Sequence, residues 1–216
     1  MGGEGCDPQD TVSQAPQEEV QLPEPRTTGS VSVEEAIQTR RSIRDFRGDS
    51  LNLAAVSQLL WATQGITDDR RALRSAPSAG ATYPLEIYLI AGAVAELPAG
   101  VYRYRPDRHS LTLVESGDRR RDVTRAALDQ RWMSDAPITI LLAGVFERTT
   151  GRYGERGRQY VHMEVGHAAQ NVYLQAVAQG LGTTVVGAFR DRELASAIGL
   201  GAQEVPLGLL PVGVPR

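Results

Sequence analysis

Two nearly unbroken apolar runs constrain the fold most: LEIYLIAGAV at 85–94 and PITILLAGVF at 137–146. Neither alternates polar with apolar residues, so neither suits a strand with one face in water. Both read as strands buried on both faces. The longest helical pattern runs from about 158 to 179. Val161, Val165, Ala168, Val172 and residues 174–177 make one face, and His162, Gly166, Ala169, Tyr173 and Ala176 make a neighbouring stripe. A helix apolar over so much of its circumference is central. The small stripe Gly166, Ala169 and Ala176 suits close approach of another helix, and Gly180 and Gly182 close the pattern.

The remaining elements follow from local signals. Ser32-Val-Glu-Glu35 is a capping box that starts a helix running to about Arg41. A second helix covers roughly 52–64, with Asn52 as cap and Gly65 as stop. Residues 75–84 are a small-residue loop and 148–157 a Gly/Arg-rich loop. GVYRYR (100–105) and SLTLVE (110–115) form a hairpin whose turn holds His109 as a solvated residue. Helices are expected at 118–130 and 191–199, and strands at 183–189 and 205–214. Helices and strands mix without regular alternation, and a hairpin is present. The pattern predicts an α+β fold, a largely antiparallel sheet flanked by helices, rather than a doubly wound parallel one.

Residues 1–30 carry six acids and one base and almost no large apolar residue. They are expected to be a disordered acidic leader, with the folded domain at 31–216. The whole chain has net charge −3, so the body is near neutral. It lacks the basic stripe that nucleic acid requires. No apolar run is long enough to span a membrane. Cys6 is the only cysteine, which excludes an internal disulfide or a Cys-x-x-Cys redox pair. The expected location is cytoplasmic. All 23 basic residues are arginine, so Schiff-base and P-loop lysine chemistry are excluded.

Most catalytic signatures are absent. There is no Gly-x-Gly-x-x-Gly after a strand and no Gly-x-Ser-x-Gly elbow. His162 and His167 are five residues apart and fall on different helix faces, so no metal site is expected. What remains is Arg40-Arg41-Ser42-Ile43-Arg44-Asp45-Phe46, then Pro77-Ser78-Ala79-Gly80-Ala81-Thr82-Tyr83-Pro84, then Val186-Gly187-Ala188-Phe189. Guanidinium forks and a serine suit a phosphate. The same arginines equally suit a helix C-terminus, where they complement the dipole. Small residues at 77–81 let backbone approach a flat ligand.

These motifs, in this order, with Pro84-x-Glu86-x-Tyr88 on the following strand and Glu164-x-Gly-His-x-x-Gln170-Asn171 on the long helix, resemble the FMN-dependent nitroreductase family. The branch they resemble most contains the azoline dehydrogenases of thiazole/oxazole-forming peptide pathways. The resemblance covers residues 32–214. It implies an intertwined homodimer with FMN at the interface and NAD(P)H as electron donor. It implies that Arg40 binds the FMN phosphate, that Arg41 and Ser42 hold the phosphate and ribityl chain, and that Arg44 faces the pyrimidine edge and tunes the flavin. Pro77, Ser78, Ala79 and Gly80 would line the ring from the other subunit. Gly187 and Ala188 would present backbone N–H groups to N5, and Arg216 would reach the phosphate. Tyr153 and Tyr160 are candidate active-site phenols. Azoline-oxidising relatives use a Lys–Tyr pair, and this chain has no lysine. The expected function is therefore ping-pong hydride transfer from NAD(P)H to a small nitroaromatic or quinone acceptor. The alternatives are an azoline-type dehydrogenase working with partner proteins, and a non-catalytic flavin-binding protein.

Overall fold

A computed structural model describes residues 19–216. In chain order the elements are β1 (Glu19–Gln21), α1 (Val33–Thr39), α2 (Leu53–Gln64), β2 (Ile66–Asp68), β3 (Leu73–Arg74), β4 (Leu85–Ala91), β5 (Gly100–Arg105), β6 (Ser110–Ser116), α3 (Arg120–Ala126), β7 (Ile138–Gly144), α4 (Glu147–Tyr153), α5 (Arg156–Ala178), β8 (Gly182–Thr183), α6 (Asp191–Ile198) and β9 (Val205–Gly213). One sheet of seven strands runs β1-β6-β5-β4-β7-β9-β8, and every ladder in it is antiparallel. β2 and β3 form a separate small hairpin.

The two apolar runs become the centre of this sheet. β4 and β7 pair along their whole length, from Leu85↔Gly144 to Ala91↔Ile138. Side chains on a strand alternate between faces. Leu85, Ile87, Leu89, Ile138, Ile140 and Leu142 therefore pack with Leu59 and Leu60 of α2 and Val161, Ala168 and Val172 of α5. Tyr88, Ile90, Leu141 and Ala143 pack on the other face with Val123 of α3 and Leu194 and Ile198 of α6. The result is α+β, as expected, with a sheet between two helical layers.

The helix caps match their sequence signals. Ser32 accepts from the Glu35 N–H at 3.1 Å, and Asn52 accepts from Ala55 at 2.7 Å. The first helix ends at Thr39 rather than Arg41, and the 118–130 helix is confined to Arg120–Ala126.

Several expectations are corrected. The disordered leader does not extend over residues 19–30. Glu19–Gln21 pairs with β6, Leu22 is only 3% exposed in the core, and Ser57 donates to the Pro23 carbonyl at 2.5 Å. Gln58 both accepts from the Arg26 N–H and donates to the Arg26 carbonyl, acting as a short strand partner. Long-range pairing and one buried leucine thus override a polar composition. Cys6 and residues 1–18 lie outside the described residues. The 148–157 segment is helical rather than a loop. Glu147 in the first turn and Arg152 in the last complement the dipole of α4, and Gly154 at φ 56° makes the break before α5. His109 is not simply solvated. It bridges Tyr104 at 2.9 Å through Nδ1 and Ser57 at 2.7 Å through Nε2.

Candidate active site

The arginine segment leaves α1 and runs as an irregular edge between β8 and the chain's last residues. Ser42 bridges Thr183, Phe46 bridges Pro215, and the Ile43 N–H donates to the Thr183 carbonyl at 3.0 Å. A Cβ on Gly182 would lie 2.7 Å from the Ile43 side chain, so glycine is what permits this approach. Arg216 joins the same group. Its N–H donates to the Asp45 carbonyl, and its guanidinium lies 3.5 Å from the Asp45 carboxylate.

Tyr173 of α5 ties this segment to residues 183–188. Its hydroxyl donates to Thr184 at 3.3 Å, accepts from the Val185 N–H at 2.9 Å and meets Ser42 at 3.3 Å. Arg40 sits over its ring at 5.1 Å from the centroid. Burial raises the phenol's pKa, but the three hydrogen bonds and the Arg40 charge outweigh it and hold the phenol below its usual value. The same contact corrects the expected strand at 183–189. Thr183 pairs with β9 and Val186 bridges Leu209, but between them the Val185 N–H turns to the phenol. Gly187 and Ala188 therefore lie beyond the ladder, both exposed, and among the described residues nothing comes within 4 Å of where a Gly187 Cβ would project. A cleft of about 290 Å³ lined by Arg41, Ile43, Tyr173, Val177, Thr183 and Pro215 adjoins the segment. Arg41 caps the carbonyls of Gln38 and Arg40, as the dipole reading expected. Arg44 is exposed and makes no ion pair among the described residues.

The small-residue loop forms a second group on another side of α5. Ala79–Ala81 is one 3-10 turn in which Gly80 and Ala81 have positive φ. His167 Nδ1–H donates to the Pro77 carbonyl at 3.1 Å, and Asn171 donates to the carbonyls of Ala62 and Ser75. Ser78 accepts from the Tyr83 N–H at 3.0 Å and hydrogen-bonds Glu164. Glu164 is 2% exposed and also accepts from Gln64 at 2.9 Å. Burial pushes its carboxyl above the usual range despite Ser78, Gln64 and the nearby Arg74. From the α4 side, Arg148 donates to the Tyr83 carbonyl and Arg152 to the Gly80 carbonyl. A Cβ on Gly80 would lie 2.8 Å from the Arg152 guanidinium and nearer still to the Tyr153 hydroxyl. Tyr153 and Tyr160 meet edge to face at 5.2 Å.

The nitroreductase family profile matches residues 37–214. The chain belongs to the nitroreductase family.

Among family members, the MJ1384 protein of Methanocaldococcus jannaschii is 45% identical over 90% of this chain and 96% of its own length. A nitroreductase-family crystal structure from Ralstonia eutropha has a TM-score of 0.79 at 27% identity, covering 99% of this chain and 96% of that one. The microcin B17-processing protein McbC of Escherichia coli is 26% identical over 73% of this chain and 60% of its own length. As a nitroreductase-family member the chain is an oxidoreductase.

Within this family member Tyr173 touches Arg40, Ser42, Thr184 and Val185 and shares a cleft with Arg41, while Gly187 and Ala188 follow along the chain and Arg216 meets the arginine segment at Asp45. The structure gathers Pro77, Ser78, Ala79, Gly80, Tyr153 and Tyr160 around the other side of α5. Among the described residues no hydrogen bond or ion pair joins the two groups. Their anchors on α5, His167 and Tyr173, are six residues apart, a rotation of about 120° around the helix. Tyr173 was missed as a site residue because it reads as one more member of an apolar stripe. Glu164, His167 and Asn171 form a clamp that the i, i+3, i+7 spacing contains. Their targets, carbonyls and a serine on one loop, are not visible in sequence. Among the described residues no cluster of His, Cys, Asp or Glu could hold a metal, and no helix is long and apolar enough to cross a membrane.

Proposed function

We propose that the chain is an FMN-dependent oxidoreductase that works as a homodimer. The observation that carries this reading is the division of the site into a cationic, open half and a small-residue half on different sides of α5. Each half is tied together by its own hydrogen bonds, and none joins the two among the described residues. A two-fold pairing along α5 would set the cationic half of one protomer against the small-residue half of its partner. The exposed stripe of α5, where Met163 is 51% exposed and no atom lies within 4 Å of a Gly166 Cβ, is available for that contact.

The donor chemistry suits FMN. A phosphate needs cationic forks and a neutral donor, and Arg40, Arg41, Ser42 and Arg216 supply both. Arg44, unpaired and exposed, would oppose negative charge at the pyrimidine edge. Gly187 and Ala188, free of the ladder and without a bulky side chain, would offer backbone N–H groups. Pro77 to Gly80 would cover the ring from the partner protomer with a backbone held at Pro77 by His167 and at Gly80 by Arg152. When bound, FMN would accept hydride from NAD(P)H and pass it to a small nitroaromatic or quinone acceptor in ping-pong fashion. The chain's own residues hold, orient and tune. Tyr153, whose hydroxyl lies beside Gly80, would be the phenol that contacts an acceptor.

The likeness to the microcin B17-processing protein favours one other reading, an azoline-type dehydrogenase acting on a modified peptide with partner proteins. The absence of lysine opposes it. Anaerobic titration of the FMN-loaded protein with NADPH and NADH separates the two. Flavin bleaching by a nicotinamide, followed by reoxidation with a nitroaromatic or quinone, supports the stand-alone reductase. Flavin that no nicotinamide reduces supports the partner-dependent or non-catalytic alternatives.

A further inference from the structure

The α4–α5 corner carries guanidinium groups whose charge the reading above does not use. Arg148, at its start, is neutralised by Glu86. Arg152 and Arg156, further along, are exposed and make no ion pair among the described residues. Each is held on an aromatic ring. Arg152 lies 5.5 Å from the Tyr153 centroid and Arg156 lies 5.7 Å from that of Tyr160. Tyr153 and Tyr160 touch edge to face, so the two guanidiniums flank one aromatic pair. Arg152 also donates to the Gly80 carbonyl at 3.0 Å, which fixes the group beside the 77–80 loop.

This arrangement leaves two exposed cations beside the 77–80 loop open to an anion. Arg156 stands in the first turn of α5, where the helix dipole disfavours a cation; Glu155 at the N-cap makes no ion pair with it among the described residues. Some arginines elsewhere are balanced by acids, as in Arg71–Asp68, Arg120–Asp118 and Arg190–Glu193, whereas Arg158 of the same corner stands on the Phe146 ring and likewise has no ion pair among the described residues. Stacking also restricts each guanidinium to a fixed plane, which reduces the entropy lost when it binds a carboxylate or phosphate.

We propose that Arg152 and Arg156, set on the Tyr153–Tyr160 pair, recognise an anionic group on the flat molecule that binds at the 77–80 loop. The inference rests on the flavin reading and adds a substrate class to it: a conjugated ring bearing a carboxylate or phosphate. Two sources share that chemistry, a negatively charged acceptor and the 2′-phosphate of a dinucleotide donor.

The test is binding rather than turnover. FMN uptake is measured first, by calorimetry. The FMN-loaded protein is then titrated with para-nitrobenzoate against para-nitrobenzamide, and with NADP⁺ against NAD⁺. The expected result is that the more anionic member of one pair binds about tenfold tighter, the scale of one charge-assisted hydrogen bond. That preference shrinks with added salt and falls toward unity in Arg152→Gln and in Arg156→Gln. Arg121→Gln, on α3 across the sheet, keeps it. A preference in the benzoate pair assigns the anion to the acceptor, and one in the dinucleotide pair assigns it to the donor. Members of both pairs binding within about twofold would overturn the inference, as would a preference that survives both substitutions. So would a shift in dimer dissociation by Arg156→Gln with probe preference intact, since the arginines would then serve the subunit contact. Failure to take up FMN sinks the flavin reading itself, and is seen before any probe is added.

Discussion

Replacing Tyr173 with phenylalanine removes one oxygen and leaves the ring. The loss is legible bond by bond. The Val185 N–H at 2.9 Å loses its acceptor, and contacts at 3.3 Å to Ser42 and Thr184 disappear. A well-formed bond contributes about 1 kcal/mol, and each longer one a few tenths. Val185 is 38% exposed, so water replaces part of the loss. The expected destabilisation is about 1.5 kcal/mol, a drop of roughly 3–6 °C in Tm for a domain of this size. Urea unfolding of the FMN-free protein should show a lower midpoint at unchanged slope. The same change frees Ser42 and the 183–188 turn, so FMN affinity should fall along with stability. A loss under about 0.5 kcal/mol with unchanged FMN affinity would refute Tyr173 as the joint of the cationic half.

Three further outcomes follow. Leu22→Ala should cost about 2–3 kcal/mol and act locally, so native-state hydrogen exchange should show residues 19–26 opening first and the β4–β7 ladder unchanged. His109 is held below its usual pKa by burial, against a hydrogen bond to Pro23 and the charge of Glu24, which both oppose the shift. Its contribution is present above its unfolded pKa of about 6.5 and lost as pH falls below it, so exchange of the 19–26 amides should quicken between about pH 7.5 and 5 in the wild type and much less in His109→Gln. Glu164 shows the opposite sign. Its raised carboxyl favours the fold while protonated and loses that contribution as pH climbs past about 4.3, so Glu164→Gln should gain stability relative to wild type at pH 8 compared with pH 5 in urea midpoints.

How much of this was legible depends on how local the signal is. Residues 85–91 and 138–144 declare themselves because continuous apolarity has one stable solution, a strand covered twice. The caps at Ser32 and Asn52 are visible because each needs only the next three residues. The strap at 19–30 is not, since its partners are the far edge of the sheet, Ser57, Gln58 and His109. Composition describes the strap alone, and one buried leucine with paired backbone changes the outcome. The 148–157 segment looks like a loop because glycine and arginine are frequent there, yet Arg148 and Arg152 are anchors reaching Glu86, Tyr83 and Gly80. The arginine segment left two readings open, a dipole cap and a phosphate site, and the hydrogen bonds bear only on the first, at Arg41. Arg41 caps the carbonyls of Gln38 and Arg40, while Arg40 sits over the Tyr173 ring and Arg44 is exposed with no ion pair among the described residues, so neither acts as a cap. Tyr173 was hidden because a phenol within an apolar stripe gives no sign of where its hydroxyl points.

The most direct measurement is calorimetric titration of the FMN-free protein with FMN and, separately, with riboflavin, which lacks the phosphate. The expected result is one FMN per chain, riboflavin bound at least about tenfold more weakly, and loss of that difference in Arg40→Ala together with Arg41→Ala. Equal binding of the two flavins, or uptake of neither, would contradict the assignment of the arginine segment as a flavin-phosphate site.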